Sequence, residues 1–295
     1  MGSLRRRRLR GLVRDVGRAL RGHDIPLYAA GLSFYSAIAL VPLLLLAVGL
    51  AALVLGDATV LRLGDHLADA VPARHGFAGS IRHLAANANG GGVAAIIGSI
   101  LIASLYGEGL VRALDRLSRH GGRSNRGMRG RLMSPLLILL FALVLAVALT
   151  LSAQLPRPGG GSWGATLLAV YLSFLTGWVA ATAMLVLVYR TFSAERPSLR
   201  ALLWGSAATG SWLSGQTLGF VYVISLPLQL GKPFGGSDVV GTVAVVGFWL
   251  YFSHLVMLVG YLLVLRLDAR RGRPLGPVVQ ASNIAAPQQR ATPVG

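Results

Sequence analysis

The stretch Leu27–Leu55 constrains this chain more than any other: LYAAGLSFYSAIALVPLLLLAVGLAALVL holds 29 residues and no charge. As a straight α-helix at about 1.5 Å per residue it reaches roughly 43 Å, beyond the ~30 Å hydrocarbon core of a bilayer. It therefore reads as a membrane-spanning helix that is tilted or kinked. Pro42 marks the kink, because it lacks an N–H and crowds the carbonyl of Ile38. Ser33 and Ser36 are expected to satisfy the backbone groups that such a kink frees.

Composition points the same way. The 295 residues are 54% hydrophobic and only 13% charged, against about 25% charged in soluble domains, which excludes an ordinary soluble globular fold. The chain has no cysteine, so disulfides, thiolate catalysis and cysteine metal sites are excluded. A net charge of +18 would point to nucleic acid in a soluble protein. In a membrane protein, the position of the charges matters more than their sum.

Residues 1–26 form a basic amphipathic segment. Leu9, Leu12, Val13, Val16 and Leu20 recur at helical spacing between arginines, the pattern of an interfacial helix on an anionic leaflet, with a solvated basic tail as the plainer alternative. A signal peptide is not expected, because the apolar run that follows is too long and begins too late. Residues 56–92 form the longest segment between spans, where Phe77, Ile81 and Leu84 have the spacing of a short amphipathic helix. Further spans are expected at 93–117, 136–155, 163–189, 201–226 and 239–265. The tail 266–295 is basic at first and then has a disordered composition. The expected fold is all-α: a polytopic domain of six transmembrane helices over residues 27–265.

Six spans place both termini on one side, and arginine placement says which. The N-terminal segment, 112–131, 190–200 and the C-terminal segment hold eight, seven, three and five Lys/Arg; the remaining loops together hold five. Basic loops stay in the cytoplasm, so an N-in/C-in orientation in the cell's cytoplasmic membrane is expected. Topology and attraction to anionic lipids then account for most of the basic residues, and no nucleic-acid partner is called for.

Glu108, Arg112, Asp115 and Arg119 line one face at the end of the second span, with Glu108–Arg112 and Asp115–Arg119 as favourable i,i+4 pairs. Ionisable groups at membrane depth are candidates for a transport pathway; the plain alternative is an ion-pair ladder that anchors the helix end. His254, inside the sixth span, is a candidate proton relay or substrate contact, or else a histidine hydrogen-bonded to a neighbouring helix. The fifth span carries two small-residue ladders, Ser206–Gly210–Ser214 and Ser211–Gly215–Gly219, with Gln216 at mid-span. They read as packing faces, Gly215–Gly219 being a GxxxG, or as the lining of a polar cavity. A homo-oligomer is compatible with these ladders. No histidine or carboxylate spacing suits a metal, no cofactor motif occurs, and no cluster suits catalysis.

AAGLSFYSAIALVPLLLL in the first span, LYGEGLVRALDRLSR closing the second, ERPSLRALLWGSAATGSWL entering the fifth and VVGTVAVVGFWLYFSHLVMLVG in the sixth together resemble the YihY/BrkB family of bacterial inner-membrane proteins. The resemblance covers roughly residues 10–270. It implies an envelope-integrity or virulence-associated role, with one branch linked to export of a lipopolysaccharide precursor and some members labelled ribonucleases. The chain departs from the family pattern at Val240-Gly241, at Gly260, Tyr261 and Leu262, and at Asp115, where asparagine is frequent. Hydrolysis of RNA needs clustered carboxylates or histidines, and the ten acidic residues are scattered, so enzyme activity is not expected. The polar fifth span, the charges closing the second and the arginine-rich face motivate a transporter or flippase-like facilitator of an anionic or amphipathic envelope molecule, and the family resemblance tips the reading that way. The alternative is a non-transporting scaffold.

Overall fold

The computed structural model describes residues 24–70, 92–118, 163–226 and 228–270, with isolated positions 17, 79, 82, 83, 86 and 133. Its elements are α1 (Ile25–Leu55), α2 (Asp57–Ala70), α3 (Gly92–Leu117), α4 (Trp163–Phe192), α5 (Leu199–Ser225), a 3₁₀ turn (Lys232–Phe234) and α6 (Asp238–Ala269). No strand occurs among the described residues. Five of these helices coincide, within a few residues, with spans expected from hydropathy. The N-terminal amphipathic helix, the segment around Phe77, the basic loop 119–131, the span 136–155 and the tail beyond 270 lie outside the described residues.

α1 opens with Pro26 in its first turn, where a missing N–H costs nothing, and runs through Pro42 as one helix of 31 residues. It stops at Gly56, whose φ of +83° suits glycine and whose N–H reaches Ala52 O at 2.8 Å. The expected serine rescue of the proline break is not made. Ser33 Oγ donates to Ala29 O (2.7 Å) and Ser36 Oγ to Ser33 O (3.1 Å), because each hydroxyl takes a carbonyl of its own preceding turn rather than one further along the chain. α2 was not expected as a separate helix. It has Asp57 in its first turn, favourable at the positive end of a helix, and Val60, Leu63 and Leu67 at helical spacing.

α4 and α6 are long and apolar enough, by length and hydropathy, to cross a bilayer. The helices pack in the lateral order α3, α1, α6, α5, α4, with far slighter contact between α3 and either α4 or α6. Burial is concentrated at one end, where α1 and α5 begin and where α3, α4 and α6 finish. There Ile25 and Ala29 meet Leu110 and Leu114, Tyr189, Leu258 and Tyr261 in one apolar cluster. Large apolar side chains are exposed along the outer faces at both ends, Leu27 and Trp204 at this packed end and Leu53, Trp163, Tyr171 and Val239 at the other, while Ala52, Ala169 and Ile224 are buried at the far end.

α5 is held on two sides by close backbone approach. A methyl group on Gly210 would meet Thr182 N at 2.9 Å; one on Gly205 would meet Val264 Cα at 3.2 Å; one on Gly260 of α6 would meet Thr209 Cβ at 2.8 Å. The Ser206–Gly210–Ser214 ladder is buried. Ser214 Oγ also donates to Phe174 O (2.8 Å), and Trp178 Nε1 donates to Ala207 O (2.8 Å). The second ladder turns away: Gly215 and Gly219 are exposed, and a methyl on Gly219 would meet nothing within 4 Å. One residue is about 100° of helix rotation, so neighbouring ladders cannot share a face.

Gly210→Ala should lower stability by about 1–3 kcal/mol through overpacking against Thr182, whereas Gly219→Ala should be neutral or raise it by up to about 1 kcal/mol through helix propensity. Unfolding in detergent, followed by tryptophan fluorescence, separates the two.

Candidate functional site

His254 lies on α6 at the point where α1 and α3 come closest to it, and only 6% of its surface is exposed. Nδ1 is 2.8 Å from Leu250 O and 3.4 Å from Ser33 Oγ of α1; Nε2 is 3.1 Å from the Tyr106 hydroxyl of α3. A carbonyl oxygen only accepts, which assigns the hydrogen to Nδ1, and Nε2 of the neutral ring then accepts from Tyr106. The rings of Tyr106 and His254 meet edge to face at 5.8 Å. Every hydrogen-bond partner of the imidazole in this arrangement is neutral.

A second polar network closes the packed end. The Tyr261 hydroxyl of α6 bonds Ser118 Oγ at the end of α3 (2.8 Å) and Ser193 Oγ just beyond α4. Ser118 Oγ donates to Leu114 O (2.8 Å) and Tyr189 OH donates to Met257 O (2.6 Å), while the two tyrosine rings lie 5.4 Å apart. Asp268 Oδ1 accepts from Ser198 N (2.9 Å), so the end of α6 caps the start of α5.

The sequence candidates fall into separate places. Glu108 and Arg112 form their i,i+4 pair, with Arg112 Nε 2.9 Å from Glu108 Oε1. The Glu108 side chain is 15% exposed and that of Arg112 70%, so the carboxylate is tucked against the bundle and the guanidinium points out. Asp115 is buried near the Ser118–Tyr261 network, and its carbonyl accepts from Ser118 N (3.2 Å). Its proposed partner Arg119 lies outside the described residues. Gln216 sits on the other side of α6: Nε2 donates to Ser253 Oγ (3.1 Å) and Trp249 O (3.3 Å). Gln216 Oε1 and Trp249 Nε1 are buried without a hydrogen-bond partner among the described residues. Pro42 is half-buried within α1. Among the described residues no three His, Asp or Glu side chains gather as metal ligands do.

Sequence reasoning singled out His254 but not its partners. Ser33 and Tyr106 are 221 and 148 positions away, and Tyr261 is 143 from Ser118. No local periodicity links residues so far apart. The one available signal was the hydroxyl chemistry itself, since polar groups inside apolar helices have to find partners.

These features define an all-helical membrane protein with two networks of polar side chains, around His254 and Tyr261, at its helix–helix seams. Within that class the chain belongs to the virulence factor BrkB family, which it matches over residues 16–280. Neither a curated protein nor a solved structure matches it.

Tyr261→Phe should cost about 1 kcal/mol by removing the hydroxyl that joins Ser118 to Ser193, each of which keeps a backbone partner in Leu114 or Glu195. Arg112→Ala, which removes the exposed half of an ion pair, should cost less than about 1 kcal/mol. Both are read from the same detergent unfolding curves.

Proposed function

We propose that the chain is a multi-pass protein of the bacterial cytoplasmic membrane, with six spans and both termini inside, that facilitates movement of an anionic amphipathic envelope molecule. One observation carries this: the packed end gathers Arg112, Arg116, Arg190, Arg200 and Arg266, and the polar groups of Gln216, Ser253 and His254 lie deeper among the apolar helices. Polar and ionisable groups at membrane depth are what a pathway for a charged molecule requires. The arginines supply attraction for anionic headgroups at the packed, cytoplasmic side.

The uncharged stretch 136–155 has the length of a further span, which brings the number of spans in this reading to six. No catalytic step, metal or cofactor enters this mechanism, and nucleic acid is not its partner.

A second reading, a scaffold that does not transport, is favoured by the outward face of α5. Trp212, Gly215, Gly219 and Tyr222 are all exposed there, a surface on which a neighbouring helix can approach closely.

Proteoliposomes carrying fluorescent phosphatidylglycerol decide between the two. Facilitated movement predicts transfer between leaflets by the wild-type protein, lost in Glu108→Ala and Arg112→Ala at equal protein levels. Absence of transfer by folded wild-type protein leaves the scaffold, and crosslinking through the α5 face then becomes the measurement.

A further inference from the structure

We propose that His254 is a proton-binding site and that its charge state works a latch between α3 and α6. In the neutral ring Nε2 accepts the Tyr106 hydroxyl hydrogen while Nδ1–H is committed to Leu250 O. A proton arriving at Nε2 occupies that lone pair. The bond has to reverse, with Nε2–H donating to the Tyr106 oxygen, and the Tyr106 hydrogen loses its acceptor. Tyr106 has no other hydrogen-bond partner among the described residues, so the reversed arrangement leaves a half-buried donor unmet.

The surroundings give the cation nothing to replace that bond. From α1 the ring is faced by the Ser33 hydroxyl, itself donating to Ala29 O. The titratable groups of α1 stand elsewhere, Asp24 and Tyr28 at its start and Tyr35 against Gly109. From α3 it is faced by Tyr106; Glu108 is paired with Arg112, and Asp115 and Arg116 lie further toward the packed end. The charged residue of α5, Arg200, is at that same end, and Lys232 of the 3₁₀ turn is at the opposite one. On α6 the nearest titratable neighbour is Tyr251, and Asp238, Arg266 and Asp268 occupy the helix ends. An imidazolium without a counter-ion in apolar surroundings is costly, and water is the remaining source of solvation.

α3 and α6 touch little, since α1 lies between them in the packing order, and their other tie is the Ser118–Tyr261 bond at the packed end. Parting them away from that end breaks few contacts and wets the ring. Protonation therefore favours a conformer in which α3 moves away from α6, and deprotonation restores the latch. The use of this latch in transport rests on the reading above; the latch itself does not.

The chain has no native cysteine, so paired spin labels can be placed without background. Leu101→Cys on α3 and Val243→Cys on α6 are both exposed sites in the half away from the packed end. Their separation is measured by double electron–electron resonance in lipid nanodiscs from about pH 8 to about pH 5, the range in which histidine charge changes. The expected result is a reversible shift to longer distances at low pH in wild type, lost in His254→Gln and in Tyr106→Phe. No shift in wild type overturns the proposal. So does a shift that persists in His254→Gln. No transport assay enters the measurement, so its failure is separate from a failure of the transport reading.

Discussion

Close backbone approach along α5 is the contact on which the rest of the described bundle depends. Gly210 lies against Thr182 of α4, Gly205 against Val264 of α6, and Gly260 of α6 against Thr209. Lipid tails are as apolar as leucine, so burial of apolar surface does little to drive helices together in a bilayer. Dispersion between closely apposed backbones takes over that role, and it requires residues without bulk at the seam. α4, α5 and α6 form a unit for this reason, and α1 joins it through α6.

Polar side chains then fix how the remaining helices sit. In hydrocarbon an unmet hydroxyl or imidazole is expensive, and the bonds that Tyr261, Asp268 and His254 make reach other helices. Tyr261 gathers the ends of α3 and α4 through Ser118 and Ser193, and Asp268 holds the start of α5. His254 does the same for α1 and α3 nearer mid-span. The two networks differ in what they can do. Tyr261 and its serines are hydroxyls that hold their hydrogen bonds at neutral pH; the imidazole alone changes its donor and acceptor pattern within the physiological range.

Much of the fold was legible because hydropathy and charge are local properties. The helices Ile25–Leu55, Trp163–Phe192, Leu199–Ser225 and Asp238–Ala269 follow the apolar runs closely, and Gly92–Leu117 continues its apolar run through the charged residues from Glu108 onward. The Glu108–Arg112 pair followed from helical spacing alone. α2 was missed although Val60, Leu63 and Leu67 carried the period, because its mixture of aspartate and arginine resembles a loop. The face of each α5 ladder was not legible at all. Ser206–Gly210–Ser214 and Ser211–Gly215–Gly219 are equivalent as patterns, and the position of α4 and α6 alone makes one an interface and the other a surface.

By itself the sequence determined that the chain is helical and apolar, where its long helices run and at which ends its arginines gather. Each of these depends on a residue and its near neighbours. Tertiary structure decided that Ser33 and Tyr106 meet His254, that Tyr261 joins two serines, and that five helices share one apolar cluster where α1 and α5 begin. The reason is physical: a buried hydrogen bond is specified by the mutual placement of helices, and residues 148 or 221 positions apart share no periodicity that records it.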